Sequence, residues 1–529
     1  MKKIFIILFI SFLNFTSCSE ICAPTVTTIK QSDFVPNGQT SYVINTPGIY
    51  VLTTDIVFLP IVSSNAIIIN TNGVTLDFNG KILSQGNMIS NCNGIRVVGA
   101  TSSDPRSDIV IQGNGLIKSF TNSGISVGPN VIAANTSSTR IKISNLDIVD
   151  CKVRGIELAG SASGAISNSE IKDCSISKCC TSVAADFGFF ANNCIDLKIF
   201  NLSINNNISG SAIFSAINLQ NSNLCKLDSV KVFENYSTVF QAINLNNTQN
   251  CVLKNCSAQN NSSTGIQILF GISGANSNAN IFKKCIVKNN SEGSIIGFNI
   301  ASSANVLNKC EVLSNVTNSG NFTGIKLTGG ISCSSNILKS CLVSNNISTN
   351  NMSGYELLAD VTKNSLEKCV AFSNISSDNL NNSNCYGFNL DRATNCILKN
   401  CRANQNESVE DGITNICAGF NISSSGAAGT GVKKCQFIGC SAIQNAGFND
   451  ERSFGIRAIS SANGNQNNYF VKNLSMGNGR NNPIEKNQIV ITHAGNSNEG
   501  GISLNSVEST SIDRLNNLET SYSNIIIYN

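Results

Sequence analysis

Nine polar side chains recur at one position of a short repeated motif and are the strongest candidates for binding chemistry in this chain. The motif reads glycine or alanine, then apolar, variable and apolar residues. Its variable position holds Glu157, Asn218, Asn244, Gln267, Asn299, Lys326, Glu356, Asn389 and Asn421. Amides donate and accept hydrogen bonds as sugar hydroxyls do, so a row of them on an exposed surface suits a carbohydrate. The same row is also typical of a structural ladder that binds nothing.

A second row of residues is basic. It consists of Lys172, Lys254, Lys283, Lys339 and Lys399. Such a row either attracts an acidic polymer, with a salt-sensitive affinity, or keeps a surface solvated and discourages sideways sheet pairing.

Residues for catalysis are few. His493 is the only histidine, and no carboxylate adjoins it in the sequence. The pair Asp391-Arg392 fits an acid with a stabilising cation at the edge of a groove, and equally a surface ion pair of small energetic value. The cysteines do not form the paired C-x-x-C units of a zinc site. The sequence therefore predicts no metal, no other cofactor and no identifiable catalytic residue.

A repeat positions these residues along the chain. Seven cysteines are each followed five residues later by asparagine. With Leu146, Cys174, Leu202 and Val230 in the cysteine position of earlier repeats, the mean spacing is roughly 29 residues, which is typical of stacked-repeat proteins. These pairs are Cys256/Asn261, Cys285/Asn290, Cys310/Asn315, Cys341/Asn346, Cys369/Asn374, Cys401/Asn406 and Cys440/Asn445. Short alternating apolar runs fill each repeat, and no helical period is sustained, so each repeat holds two or three short strands.

Short strands without crossover helices can coil so that each repeat lies on the one before. The predicted fold is therefore an all-β parallel β-helix of roughly sixteen coils, with like positions stacked about 4.8 Å apart. Asparagine five residues after cysteine suits the turn, because it tolerates the left-handed conformation and its amide can bond along the stack. Most cysteines are expected to be buried free thiols, since stacked Cβ atoms are too far apart for disulfides. The state of Cys179 and Cys180 stays open.

Composition excludes some classes of protein. The 36 Lys and Arg against 32 Asp and Glu give a net charge of +4, and only 13% of residues are charged. This is no footprint for nucleic acid. A charged disordered chain is also excluded, because 41% of residues are hydrophobic.

The N-terminus predicts export. Lys2 and Lys3 precede an apolar run from 4 to 13, and small residues follow, as in a signal peptide over residues 1–18. Phe15-Thr-Ser-Cys18 resembles a bacterial lipobox, although phenylalanine replaces the usual leucine. Lipidation of Cys18 and ordinary cleavage nearby are both compatible with this segment, and a lipid would anchor the protein without making it span the membrane.

Two early segments carry a family resemblance. Pro47-Gly-Ile-Tyr-Val-Leu52 to Gly80, and Ile109-Val-Ile-Gln-Gly-Asn-Gly-Leu-Ile117, resemble the start of right-handed β-helix proteins of the pectin-lyase-like superfamily. The similarity covers roughly residues 40–475 and implies the handedness. Enzymes of this superfamily mostly cut or epimerise acidic polysaccharides. Of the motifs used by its hydrolases, however, only Arg140-Ile-Lys142 is present, and Asp104-Pro105 keeps half of an epimerase motif.

The sequence thus predicts four segments: a signal peptide at 1–18, irregular coils at 23–145, regular coils at 146–475 and a cap or tail at 476–529. The favoured function is an exported cell-envelope or surface protein, without catalysis, that binds glycan or another surface ligand along its length. The alternative is a lyase, hydrolase or epimerase acting on acidic polysaccharide. Convergence of three or more charged residues in one groove would favour the alternative. The ligand and the oligomeric state stay open.

Overall fold

A computed structural model gives the fold. It describes residues 25–101, 104–128, 136–161, 163–181, 186–209, 213–377, 383–409, 415–423, 431–447, 453–460, 468–471, 473–476, 478, 489–493, 502–505 and 525–528. The predicted signal peptide at 1–18, with Cys18, lies outside these residues. In the described residues, no helix is long and apolar enough to cross a bilayer.

The described residues form a parallel β-solenoid, as predicted. Three long sheets, which we call A, B and C, have 21, 16 and 15 strands. Each coil generally contributes a strand to A, then to C, then to B, and pairs with the next coil in parallel register. One pairing between described strands is antiparallel, that of Ala100–Thr101 with Thr136–Ser144. The fifteen strands of sheet C agree with the roughly sixteen coils predicted.

Sheet A comprises Val26–Ile29, Gly48–Leu52, Val74–Asp77, Ala100–Thr101, Arg106–Gln112, Thr136–Ser144, Ile166–Ser167, Glu170–Lys172, Cys194–Ile195, Lys198–Phe200, Lys226–Asp228, Val252–Lys254, Ile281–Lys283, Val306–Asn308, Ile337–Lys339, Ser365–Glu367, Ile397–Lys399, Gln436–Ile438, Tyr469–Val471, Ile502–Asn505 and Ile525–Tyr528. Sheet B comprises Tyr42–Ile44, Asn65–Ile69, Asn93–Val98, Ser123–Gly128, Arg154–Ala159, Asp186–Asn192, Ile213–Gln220, Tyr236–Asn246, Ser262–Ser273, Ser294–Ile300, Phe322–Leu327, Met352–Leu357, Cys385–Asp391, Cys417–Ser423, Ser453–Ser460 and Ile489–His493.

Sheet C comprises Ile56–Phe58, Ile82–Gln85, Gly115–Lys118, Leu146–Val149, Ser175–Ser177, Ser203–Asn205, Lys231–Phe233, Ser257–Gln259, Ile286–Lys288, Glu311–Leu313, Leu342–Ser344, Val370–Phe372, Arg402–Asn404, Ser441–Ile443 and Leu474–Met476. A fourth small sheet holds Val316–Thr317, Ile347–Ser348, Ile375–Ser376 and Glu407–Ser408. The two short 3-10 helices are Gln31–Asp33 and Gly330–Ser332.

The C-terminal strands continue the coil. Ile489–His493 pairs with the last long strand of sheet B, and Ile502–Asn505 and Ile525–Tyr528 extend sheet A. The assignment of 476–529 as a cap or tail, and the boundary near residue 145, stay predictions.

Inward apolar side chains stack along the axis and form one core. Phe388 lies with its ring centroid 4.6 Å from that of Tyr355 and 4.8 Å from that of Phe420, and both neighbouring rings are nearly parallel to it. Burial of one such side chain is worth about 1.5–3 kcal/mol. Each coil therefore gains most of its stability from contact with its two neighbours, as in other solenoids.

The asparagine column predicted from the repeat is confirmed. The Asn290 Nδ2 donates to Asn315 Oδ1 over 2.9 Å, and the Asn315 Nδ2 donates to Asn346 Oδ1 over 2.9 Å. The bonds continue from Asn207 to Asn478, always toward the next coil. Together with the apolar stacks, these bonds hold the coils in register.

The backbone conformation expected of these asparagines was wrong. They are buried and point inward, and the left-handed residue is the one immediately before each of them, such as Asn289 before Asn290. The residue before the stacked cysteine also has positive φ, as at Lys284 and Lys309. Several of these positions hold lysine or serine, so the tight stacked turns impose this conformation on residues with no special preference for it.

The cysteines are free and buried, as predicted for most of them. The structure describes 20 cysteines, and none of these 20 is in a disulfide. Cys179 and Cys180 are among them. Thiols of the main column donate to backbone carbonyl oxygens of the preceding coil, as Cys285 does to Leu253 over 3.6 Å and Cys310 does to Phe282 over 3.5 Å. The cysteine column therefore acts as small apolar filler of the core.

Candidate binding face

The outward side of sheet B, which we call the polar face, carries one column of side chains with one residue per coil. We call this the central column. It consists of Arg96, Ser126, Glu157, Phe190, Asn218, Asn244, Gly271, Asn299, Lys326, Glu356, Asn389, Asn421 and Arg457. Eight of the nine candidates from the sequence lie in this column, since only Gln267 is missing from it.

The glycine of the motif explains why its third residue points outward. A Cβ atom at Gly155 would lie 2.4 Å from Ile176 Cγ2, and one at Gly324 would lie 2.4 Å from Val343 Cγ1. Core side chains thus pack directly against the backbone at this position, where only glycine or a small residue fits. The strand then continues with an inward apolar residue and the outward residue of the central column.

The placement of Gln267 was wrong. Gln267 pairs with Phe240 and Ile295, is fully buried, and its Nε2 donates to the Ser291 carbonyl oxygen. Gly271 takes the outward place in this coil. The segment Leu269-Phe-Gly271-Ile takes the place of the motif in this coil, so the match at Gly265-Ile-Gln-Ile lies four residues too early in the strand.

Several side chains of the central column are less exposed than expected for a row that faces solvent. Side chains of Glu157 and Glu356 are 14% exposed, Lys326 is 27% exposed, and Asn421 is buried at 2%. Each residue is covered in part by its neighbours one coil away. The column therefore presents an ordered polar surface whose groups are held by one another.

One carboxylate at the N-terminal end of the central column is bound by an arginine and a serine, and a second arginine binds that serine. Arg154 donates to Glu157 Oε1, and Ser126 Oγ donates to Glu157 Oε2 over 3.0 Å. Arg96 donates to Ser126 Oγ and, over 3.0 Å, to the Gly128 carbonyl oxygen. Burial lowers the pKa of Arg96, and the charge of Glu157 opposes this shift. Both oxygens of Glu157 are thus engaged within the protein.

Two phenylalanine rings lie beside this cluster. The ring centroids of Phe187 and Phe190 are 4.9 Å apart, and both side chains are partly exposed. The Arg154 guanidinium carbon lies 4.9 Å from the Phe190 centroid and 5.7 Å from the Phe187 centroid, within cation–π range. The rings and the guanidinium hold one another in place and form an aromatic patch on an otherwise amide-rich face.

A second group of polar contacts lies toward the C-terminal end. Lys326 Nζ lies 3.6 Å from Glu356 Oε2. The Asn421 Nδ2 donates to Asn389 Oδ1 over 2.8 Å, and Arg457 donates to Asn421 Oδ1 over 2.7 Å. Each cation of this group thus has a partner within the central column.

Tyr386 lies three residues before Asn389 in the strand Cys385–Asp391 and belongs to the same end of the polar face. Burial raises the pKa of Tyr386 to about 12, and the nearby Arg457 opposes this rise. Its hydroxyl therefore stays protonated at neutral pH. The protonated hydroxyl can donate a hydrogen bond to a ligand. It cannot act as a base at this pH, because a base would have to be deprotonated.

The five lysines of the predicted basic row do lie in one column, on sheet A. Acidic and neutral residues interrupt them: the column reads Lys172, Phe200, Asp228, Lys254, Lys283, Asn308, Lys339, Glu367 and Lys399. Lys254 lies 3.2 Å from Asp228, and Lys339 lies 3.6 Å from Glu367. The row is therefore one of mixed charge, which favours solvation of this surface over attraction of an acidic polymer.

The pair Asp391-Arg392 forms ion pairs at the edge of sheet B. Arg392 Nε lies 3.8 Å from Asp391 Oδ2, and another guanidinium nitrogen lies 3.7 Å from Asp360 Oδ2. In the described parts of the chain, no three His, Cys, Asp or Glu residues are grouped so that they could hold a metal ion.

Sequence reasoning missed the aromatic patch and both arginines near Glu157. Three copies of the motif at this end contain Arg96, Ser126 and Phe190. They read Gly94-Ile-Arg96-Val, Gly124-Ile-Ser126-Val and Gly188-Phe-Phe190-Ala. These copies have the same form as the others, so extending the alignment toward the N-terminus and accepting non-amide third residues would have found them. Arg154 and Phe187 lie three residues before the central column, and only the stacking reveals their contact.

Comparison with known proteins identifies no family: no family model and no curated protein matches the chain. Among solved structures, the A-module of an Azotobacter vinelandii mannuronan C-5 epimerase has 12% identity and a TM-score of 0.34, with 88% of this chain and 99% of that chain covered. A double mutant of the tailspike protein of E. coli bacteriophage HK620 has 11% identity and a TM-score of 0.37, covering 94% and 78%.

A single mutant of the same tailspike, in complex with a pentasaccharide, has 13% identity and a TM-score of 0.36, covering 84% of this chain and 78% of that chain. At these identities and TM-scores the similarity is one of fold alone.

Proposed function

We propose that this protein is an exported protein of the cell envelope or cell surface that binds glycan along the polar face without catalysing a reaction. The observation that carries the proposal is the central column itself. Hydroxyl, amide and charged groups occupy eleven of its thirteen positions, which are about 4.8 Å apart. Repeated donors and acceptors on a flat surface match the repeated hydroxyl groups of an extended sugar chain.

Export rests on the basic and apolar N-terminal segment, with Cys18 either lipidated or removed with the signal peptide. A lipid on Cys18 would attach the protein to a membrane and leave the solenoid in the aqueous phase. The low net charge of +4 supports a partner other than nucleic acid.

An enzyme acting on polysaccharide is the second candidate, and one observation favours it. Arg96, Arg154 and Glu157 converge at one place on the polar face. Glycoside hydrolysis, however, ordinarily uses two carboxylates on opposite sides of the scissile bond. The described part of this cluster has one carboxylate, and both of its oxygens already accept hydrogen bonds, so binding is the better supported function.

A glycan-array screen of the chain without residues 1–22 tests the proposal. We expect binding to at least one glycan, and we expect the double substitution Asn244→Ala and Asn299→Ala to abolish it. Asn308→Ala is the matched control, because Asn308 is an outward asparagine on sheet A. Failure to bind any glycan, or equal binding by both variants, would contradict the proposal.

The enzymatic alternative is tested with the same preparation. We expect no rise in ultraviolet absorbance from pectin, polygalacturonate or alginate, because β-elimination would create an absorbing double bond in the product. A clear rise that is lost in Glu157→Gln would establish the alternative.

A further inference from the structure

In the strands that the structure describes, the middle of the polar face carries no charged side chain. The four strands from Ile213–Gln220 to Ser294–Ile300 contribute the central column together with the residues three before it and two after it. These residues are Ser215, Asn218, Gln220, Gln241, Asn244, Asn246, Ile268, Gly271, Ser273, Ile296 and Asn299. Six of them are amides, and all are uncharged at any physiological pH.

The cations toward the two ends of the face already have partners within the protein. Arg154 pairs with Glu157, and Lys326 pairs with Glu356. Counting the central column and Arg154, four cations stand against two carboxylates, and the other two cations donate to neutral oxygens among their partners. These are Arg96, on Ser126 and Gly128, and Arg457, on Asn421.

An acidic polymer bound here would lose hydration of its charged groups, and few charges of the protein would compensate for that loss. Each anionic sugar over the uncharged stretch would lose water without gaining an ion pair. Uncharged sugars lose less on leaving water, and their hydroxyls recover hydrogen bonds from the amides. The charge distribution therefore selects against acidic chains on the same surface that suits neutral ones.

The polar groups are also spread over a long distance. Phe190 and Asn389 are seven coils apart in the central column, which corresponds to about 34 Å at about 4.8 Å per coil. A short oligosaccharide would contact only part of this surface. The aromatic patch of Phe187 and Phe190 at one end can pack against the apolar face of a sugar ring.

From these observations we infer that the polar face binds an uncharged linear glycan that lies across several coils. This inference rests on the proposed glycan-binding function and adds the class of ligand. The uncharged amides of the middle strands give most of the hydrogen bonds. The aromatic patch fixes one end of the chain, and affinity rises with chain length.

Calorimetric titration with defined polymers tests the inference. The probes are neutral oligomers of glucose and mannose, from trisaccharides to octasaccharides, and oligogalacturonates and oligomannuronates of the same lengths. We expect binding to a neutral series, with at least about ten-fold higher affinity for the octasaccharide than for the trisaccharide. Between low and high salt the affinity should change by less than about two-fold, since no ion pairs form.

Matched variants locate the site. Phe190→Ala should weaken binding of the neutral octasaccharide by at least about five-fold, with the outward sheet-A variant Phe200→Ala as control. Circular dichroism melting confirms that each variant is folded.

The outcomes separate the two levels of the argument. Salt-sensitive binding to the uronates, with no binding to the neutral series, would overturn the inference and leave glycan binding intact. Equal affinity for the neutral trisaccharide and octasaccharide would also overturn it. The absence of binding to any probe, together with a negative glycan array, would overturn the proposed function itself.

Discussion

Raising the pH from about 7 to about 10 should destabilise this protein through its buried thiols. Burial raises the pKa of Cys174 to about 11 and those of Cys194 and Cys333 to about 12. In the unfolded chain these thiols return to their ordinary pKa of 9.0. Above that pH the unfolded chain loses protons that the folded protein keeps, so the free energy of unfolding falls as the pH rises.

The size of the effect follows from the shifts. While the folded thiol stays protonated, each thiol lowers the free energy of unfolding by about 1.4 kcal/mol for each pH unit above its unfolded pKa. At about pH 10 these three thiols together cost about 4 kcal/mol, a large part of the 5–15 kcal/mol that is typical of folded proteins. Below the unfolded pKa their contribution to the pH dependence vanishes.

Urea denaturation at several pH values, in the presence of a phosphine reductant, measures this dependence. Cys194→Ala leaves a small cavity and lowers stability at every pH. It should also reduce the loss of stability between about pH 9 and 10 by about 1 kcal/mol, because one buried thiol is gone. Identical pH slopes for the variant and the wild type, or a native thiolate absorbance that titrates near the ordinary cysteine pKa, would refute the reasoning.

Three further predictions concern the core. Asn315→Ala removes the side-chain bonds to Asn290 and Asn346 and leaves the Asn290 backbone N–H without its acceptor. Hydrogen exchange in these coils should therefore show that the free energy of opening falls by about 3–5 kcal/mol, whereas the control Asn308→Ala should lower it by under about 0.5 kcal/mol. Gly324→Val should cost at least about 2 kcal/mol, since its Cβ would lie 2.4 Å from Val343 Cγ1; an unchanged melting temperature would exclude this packing. In the chain without residues 1–22, which lacks the other two cysteines, the 20 described cysteines should not react with a thiol reagent at neutral pH until the protein is unfolded; fast labelling of this folded chain would argue against their burial.

The repeated positions were the most predictable part of the fold. The cysteine-to-asparagine spacing predicted the stack, and the bonds from Asn290 to Asn315 and Asn346 confirm it. The conformation of the turn could not be predicted from those asparagines, because the positive φ lies one residue earlier, at positions of varied residue type such as Asn289 and Ser314. Local preference of one residue did not decide the turn; the geometry shared by all coils did.

The candidate site was predictable in part. Eight of the nine candidates from the motif lie in the central column, whereas Gln267 lies four residues before Gly271 in a strand that also has a register shift relative to its neighbour. A one-residue difference in register exchanges inward and outward faces, and the motif alone does not reveal it. The cation–π contact of Arg154 with Phe187 and Phe190 joins residues from different coils and leaves no local trace in the sequence.

The sequence by itself determined the all-β class, the repeat, the stacking of the asparagines in a column and the free state of most cysteines. These features repeat in every coil, so each residue type is fixed by an environment that recurs with the period of the chain. Only the tertiary structure decided which side chains meet on the polar face, how far they are buried, and which charges are already paired. Such contacts depend on the stacking of residues roughly 29 positions apart, where a small shift in one coil changes the partners of every side chain in it.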